Sequence, residues 1–106
     1  MSGATPEWWR GDPPLTDEQC REAVQDALDM LPPEISAKID NLAVIIEEDG
    51  ASQNLRGLYE RRMGMHRITI FRDTNASRDD VIRTVLHEVG HYFGMDEARL
   101  REIGYG

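Results

Sequence analysis

Cysteine occurs once in this chain of 106 residues, at Cys20, so no disulfide can close within it. A disulfide-stapled scaffold is excluded, and a reducing cytoplasm is the expected setting. Basic residues are scarce beside acids: twelve Lys and Arg against twenty Asp and Glu leave a formal net charge of -8. That balance argues against nucleic acid or an anionic membrane as a partner held by a general basic field. No apolar run approaches the length of a bilayer span. The first fourteen residues hold no apolar run led by basic residues, so no secretory leader is expected. Internal repeats and low-complexity tracts are missing too. What is left is room for one domain with a modest core, in which a bound metal contributes noticeably to stability.

Histidine is also rare, yet two of the three fall in Val81-Ile-Arg-Thr-Val-Leu-His-Glu-Val-Gly-His-Tyr-Phe-Gly94. His87, Glu88 and His91 there form the H-E-x-x-H pattern of a zinc site. On a helix His87 and His91 are one turn apart and only about 40° apart around the axis, so both imidazoles reach one ion. Glu88, turned about 100° from His87, is placed to act on a metal-bound water rather than to ligate the metal. Val81, Ile82, Val85, Val89, Tyr92 and Phe93 take roughly the opposite arc, giving the helix a core face. Gly94 is a natural stop, and two acids, Asp96 and Glu97, compete for the third ligand position. Asp96 has a second use as the cap of a last short helix over residues 96–103. His66 has no spacing argument behind it as a ligand.

The rest of the chain reads as a scaffold. Residues 1–14, rich in Gly, Pro and small polar residues, predict a mobile arm carrying Trp8 and Trp9, and residues 15–106 the domain. Thr16 and Gln19 have the spacing of a capping box, and the stripe Cys20, Ala23, Val24, Ala27, Leu28 and Leu31 predicts a helix stopped by Pro32 and Pro33. Cys20 on that stripe is expected to be a buried small hydrophobe. A short helix follows over residues 34–39. The β-branched run at 41–48 predicts a strand, and the best candidate for the central one. Residues 51–54 read as loop, 55–60 as a weaker strand whose glycine suggests a bulge or an edge, and 61–65 as the turn out of it. Residues 66–72 alternate as a half-buried strand, antiparallel to the one before. Residues 73–77 are a polar loop, with Ser77 capping the helix that carries the histidines.

In this order, the Leu-Pro-Pro helix end, Leu42 to Glu48, Leu55-Arg-Gly-Leu-Tyr-Glu60, Arg67-Ile-Thr-Ile-Phe-Arg72, the block from His87 to Glu97 and the ending Leu100-Arg-Glu-Ile-Gly-Tyr105 resemble the bacterial minimal zincin-like metallopeptidases. The resemblance implies an α+β single domain, a small mixed sheet of about three strands packed on the active-site helix with flanking N-terminal and C-terminal helices. It implies the pattern H-E-x-x-H-x-x-G-x-x-D/E, which falls here on His87, Glu88, His91, Gly94 and Glu97. The activity implied is zinc-dependent hydrolysis of peptide bonds in a peptide or unfolded protein, with His87, His91 and Glu97 holding zinc and Glu88 activating the zinc-bound water. Larger metzincins carry His where Glu97 stands. Tyr92 and Tyr105 are conceivable oxyanion donors, with packing the favoured role for both. The strand 66–72, if at the sheet edge, would align an extended peptide. Two other readings stand beside this one: a zinc-stabilised interaction module without catalysis, and a latent peptidase covered by its N-terminal arm.

Overall fold

The structure, a computed structural model, describes residues 15–104. The expected arm with Trp8 and Trp9, and Tyr105, lie outside them. Helix α1 (Asp17–Asp29) starts on the capping box expected of it. Thr16 Oγ1 accepts from the Gln19 amide at 3.1 Å, and Gln19 Oε1 accepts from the Thr16 amide at 2.9 Å. Its stripe of Cys20, Ala23, Val24 and Ala27 is buried. Pro33 then opens a single helical turn, α2 (Pro33–Ser36), at a position where a missing N–H leaves no bond unmade.

Three strands, β1 (Leu42–Glu47), β2 (Gly57–Arg62) and β3 (Met65–Phe71), form one sheet in the order β1-β3-β2. β1 runs parallel to β3 and β2 antiparallel to it, so the sheet is mixed. The central strand is therefore β3, not the β-branched run of β1. The reason is visible in the burial: β1 has no buried residue and exposes Ala43 and Glu47, whereas Ile68, Thr69, Ile70 and Phe71 are all buried. The end of β3 is thus covered on both faces, rather than half-buried as its alternation predicts. Ile68 and Ile70 join α1 and the helix α4 (Arg78–Tyr92) in the core.

At the other face Phe71 meets α3 (Gly50–Gln53), a helical turn where the sequence reads as loop. A Cβ at Gly50 would stand 2.4 Å from the Phe71 Cβ, so only glycine lets the turn sit this close. The amides of Gly50 and Ala51 donate to the Asp73 carboxylate at 2.9 Å each. The carboxylate that caps α3 thus comes from the far side of the β2–β3 hairpin, where no local pattern shows it. The loop expected at 61–65 shrinks to Met63 and Gly64, whose φ values of 53° and 80° suit a two-residue hairpin turn.

Helix α4 is the element on which the rest converges. It packs on α1 through Val81, Val85 and Val89 and on β2 and β3 across the sheet. A last helix, α5 (Glu97–Glu102), closes the described chain and buries Leu100 completely.

Cys20 is fully buried between these layers, and burial pushes its thiol above the ordinary range, with Asp17 adding to the shift. Because the thiolate is the reactive species, the native chain is expected to resist an aromatic disulfide reagent and to react at once in denaturant. Prompt labelling of the native protein would place Cys20 outside the core.

Candidate metal centre

Helix α4 is fixed at both ends. Ser77 Oγ accepts from the Asp80 amide at 3.1 Å, and Asp79 and Asp80 sit in the first turn, where carboxylates complement the helix dipole. At the other end Gly94, with φ 85°, donates to the His91 carbonyl at 2.9 Å while the Met95 amide donates to that of Gly90 at 3.0 Å. This pair of bonds is a Schellman motif, and it reverses the chain within two residues. Asp96 then caps α5, accepting from the Arg99 amide at 2.8 Å.

The reversal brings three donors together. His87 Nε2 and His91 Nε2 are 3.2 Å apart, and Glu97 Oε1 lies 3.2 Å from the first and 3.0 Å from the second. Four ligands at the usual zinc distances of ~2.0–2.1 Å span tetrahedral edges of about 3.3–3.4 Å, so the triangle fits one face of such a site. His91 Nδ1 lies 3.0 Å from the Met95 carbonyl, which can only accept, so the proton is on Nδ1 and the Nε2 lone pair faces the triangle. Of the two competing acids it is Glu97 that reaches the histidines, while the Asp96 side chain is engaged as the cap. Slight burial works to raise the Glu97 carboxyl, but the closeness of the His87 and His91 imidazoles holds it below its ordinary range.

Glu88 stands apart from the donors and is only 7% exposed. Burial pushes its carboxyl above the ordinary range, against the opposing pull of His87 and His91. The space it occupies is left by Gly57 at the start of β2. A Cβ there would stand 2.6 Å from Thr84 Cγ2, 3.1 Å from Glu88 Cγ and 3.2 Å from Glu88 Oε2. β2 is the edge strand that its glycine suggests, and the glycine marks a close approach of β2 to α4 rather than a bulge. Buried Asn75 locks that approach: its Nδ2 donates to the Arg56 carbonyl at 3.0 Å and the Phe71 carbonyl, and its Oδ1 accepts from Thr84 Oγ1 at 2.7 Å. Neither Asn75 nor Thr84 carries a sequence motif, and both matter only through partners far along the chain.

A cleft of about 670 Å³ runs between β2 and α4 and is lined by Gly57, Tyr59, His87, Glu88, His91 and Glu97 among others. Other candidate residues are engaged elsewhere. The Tyr92 hydroxyl donates to the Asp40 carbonyl and accepts from its amide, both at 2.9 Å, which makes it a tether. His66 Nδ1 lies 2.6 Å from Tyr59 Oη, and its ring meets Tyr92 edge-on, away from the donor triangle.

Gly90, between the histidines, is a further residue the motif alone does not explain. A Cβ there would stand 2.2 Å from Leu100 Cδ2, so the buried Leu100 rests directly on the backbone of α4 and docks the helix that carries Glu97. An exposed helical Gly→Ala change typically gains about 1 kcal/mol from propensity. Here Gly90→Ala is expected to lower the melting temperature instead, because Leu100 has to leave its seat. A higher melting temperature for this variant would show that α5 does not bear on Gly90.

The sequence model of the zincin-like metallopeptidase family matches residues 49–106, and no curated protein matches the chain. The match begins just after β1 and takes in the hairpin, α4, the reversal at Gly94 and α5. With more than half its length matched, and a mixed sheet packed on a helix bearing H-E-x-x-H, this chain belongs to the zincin-like metallopeptidase family.

Proposed function

We propose that this chain hydrolyses peptide bonds, with zinc held by His87, His91 and Glu97 and with Glu88 carrying the proton. The observation that carries the reading is the separation of roles among four side chains: three donors meet in a triangle while a fourth, acidic, stands buried beside them. A structural zinc site closes all four positions with protein, and among the described residues only three donors converge. This favours the enzyme over the interaction module. The reading of a latent enzyme involves the arm, outside the described residues.

Zinc, when bound, supplies Lewis acidity toward a carbonyl oxygen and lowers the pKa of water. The chain's own residues do the rest. Glu88 takes a proton from the attacking water and delivers it to the leaving nitrogen, acting first as base and then as acid. Its burial beside Gly57 and Thr84 suits that role, since burial raises the carboxyl and makes it a better proton acceptor than an exposed glutamate. The substrate backbone is proposed to lie along β2, which is an edge strand lining the cleft. The strand 66–72 cannot serve, because as β3 it is paired on both sides. Strand addition of this kind favours an extended peptide or an unfolded protein as substrate. No helix of the described residues is long and apolar enough to cross a membrane.

Glu88→Gln is expected to retain stoichiometric zinc and to lose turnover of an unfolded protein substrate, since the amide keeps the shape but accepts no proton. Metal analysis and a cleavage assay on the same preparation check it, and undiminished cleavage would remove Glu88 from the mechanism.

Glu97→Ala is expected to weaken zinc at least about tenfold, whereas Asp96→Ala costs mainly about 1 kcal/mol of cap stability. Competition against a chelator separates the two, and zinc loss confined to the Asp96 variant would reverse the assignment.

A further inference from the structure

Two arginines line the cleft, Arg56 at the entry to β2 and Arg83 on α4. Arg21, Arg67, Arg72, Arg78 and Arg99 each pair with a carboxylate. Among the described residues Arg56 and Arg83, like Arg61, Arg62 and Arg101 outside the cleft lining, have no side-chain hydrogen bond and no ion pair, although the chain has twenty acids to offer. The acids that line the cleft are Glu88 and Glu97, and both belong to the site itself. With zinc in place the cleft would be net positive within a chain whose formal charge is -8.

The two arginines enter the cleft lining from neighbouring positions on its two walls. Arg56 directly precedes Gly57 and Arg83 directly precedes Thr84, and Gly57 is seated against Thr84. The backbone of Arg56 is held, its carbonyl accepting from Asn75 Nδ2 and from the Phe71 amide at 3.0 Å each. Arg83 rises from the middle of the most tightly packed helix. Two planar forks carried on fixed backbone match a carboxylate, which takes paired N–H donors. Both side chains are exposed, so the attraction is screened by salt, yet a cleft wall concentrates the field of charges that a flat surface would dissipate.

We infer that Arg56 and Arg83 read a carboxylate of the substrate, so that this chain prefers peptides bearing an acidic side chain on one side of the scissile bond. The inference rests on the peptidase reading for its orientation across the cleft, but not for the binding itself. A free C-terminal carboxylate has the same chemistry and is the second source to be distinguished.

The test uses peptide sets identical except for Glu or Gln at single positions on either side of the cleaved bond, all amidated at the C-terminus, with one neutral set left as the free acid. The full chain is expected to cleave Glu peptides of one side with a kcat/KM about tenfold or more above their Gln partners, the scale of a charge-assisted hydrogen bond. In the Arg56→Gln, Arg83→Gln double variant that ratio falls toward one. Preference for the neutral free acid over its amide, lost in the same variant, would assign the arginines to a chain terminus instead and overturn the side-chain claim. Equal rates for Glu and Gln peptides on both sides, or a ratio unchanged in the double variant, would overturn it outright. The same peptides carrying a rhodamine label are also titrated by anisotropy into the Glu88→Gln chain with its arginines intact or replaced. Salt-sensitive preference for Glu there, lost with the arginines, supports the carboxylate site even if no peptide is cleaved, which would sink the peptidase reading alone. Equal binding of Glu and Gln peptides counts against it. Thermal melts confirm that the variants compared are folded.

Discussion

Three electron-rich atoms within 3.2 Å of one another are costly to hold together unless a cation or a proton lies between them. The chain accepts that cost with several separate supports. His87 and His91 are one turn apart on the helix with the most extensive packing, Met95 fixes the tautomer of His91, and Glu97 is delivered by a helix too short to persist alone. Leu100 seated on Gly90 is what keeps that short helix in place. On the proposed reading the ion relieves the crowding, so the favourable free energy of binding includes the repulsion that folding has already met.

The cleft has a second wall that follows different rules. On the proposed reading Glu88 stands close to the donors without being one, and its position is set by Gly57 from across the cleft and by Thr84 on its own helix, which Asn75 holds. Asn75 satisfies its amide on two backbone carbonyls from separate segments and its oxygen on a helix hydroxyl, so it fastens β2 and β3 to α4 with one side chain. α4 therefore carries both the core of the domain and the chemistry of its surface, one on each arc.

Much of this could be read along the chain because it is local. The capping box at Thr16, the stripe from Cys20 to Ala27, the cap at Ser77 and the stop at Gly94 all depend on neighbours within a few positions, and each is where the spacing predicts. The relation of His87 to His91 is of the same kind. What could not be read is non-local. The run in β1 has the composition of a central strand, but position in a sheet is decided by what pairs on either side, and β3 takes the middle because its final residues are covered on both faces. The turn α3 is hidden because its cap, Asp73, lies 23 residues from Gly50. Gly57 did leave a sign, a glycine in a strand that suggests a bulge or an edge; β2 is indeed an edge, but the close approach to α4 that the glycine permits depends on a helix beginning some twenty residues later.

Glu97 is ten residues from His87, with the turn at Gly94 between them. All three donors thus belong to one short loop of chain, whose closure costs little entropy and requires no long-range pairing. The wall that sets Glu88 follows a different part of the chain, connected along the backbone to α4 through the hairpin and the 73–77 junction. On the proposed reading, the part that would hold the metal and the part that would face the substrate can therefore vary almost as separate modules: drift in β2 would alter what the cleft accepts, and leave the donor triangle intact.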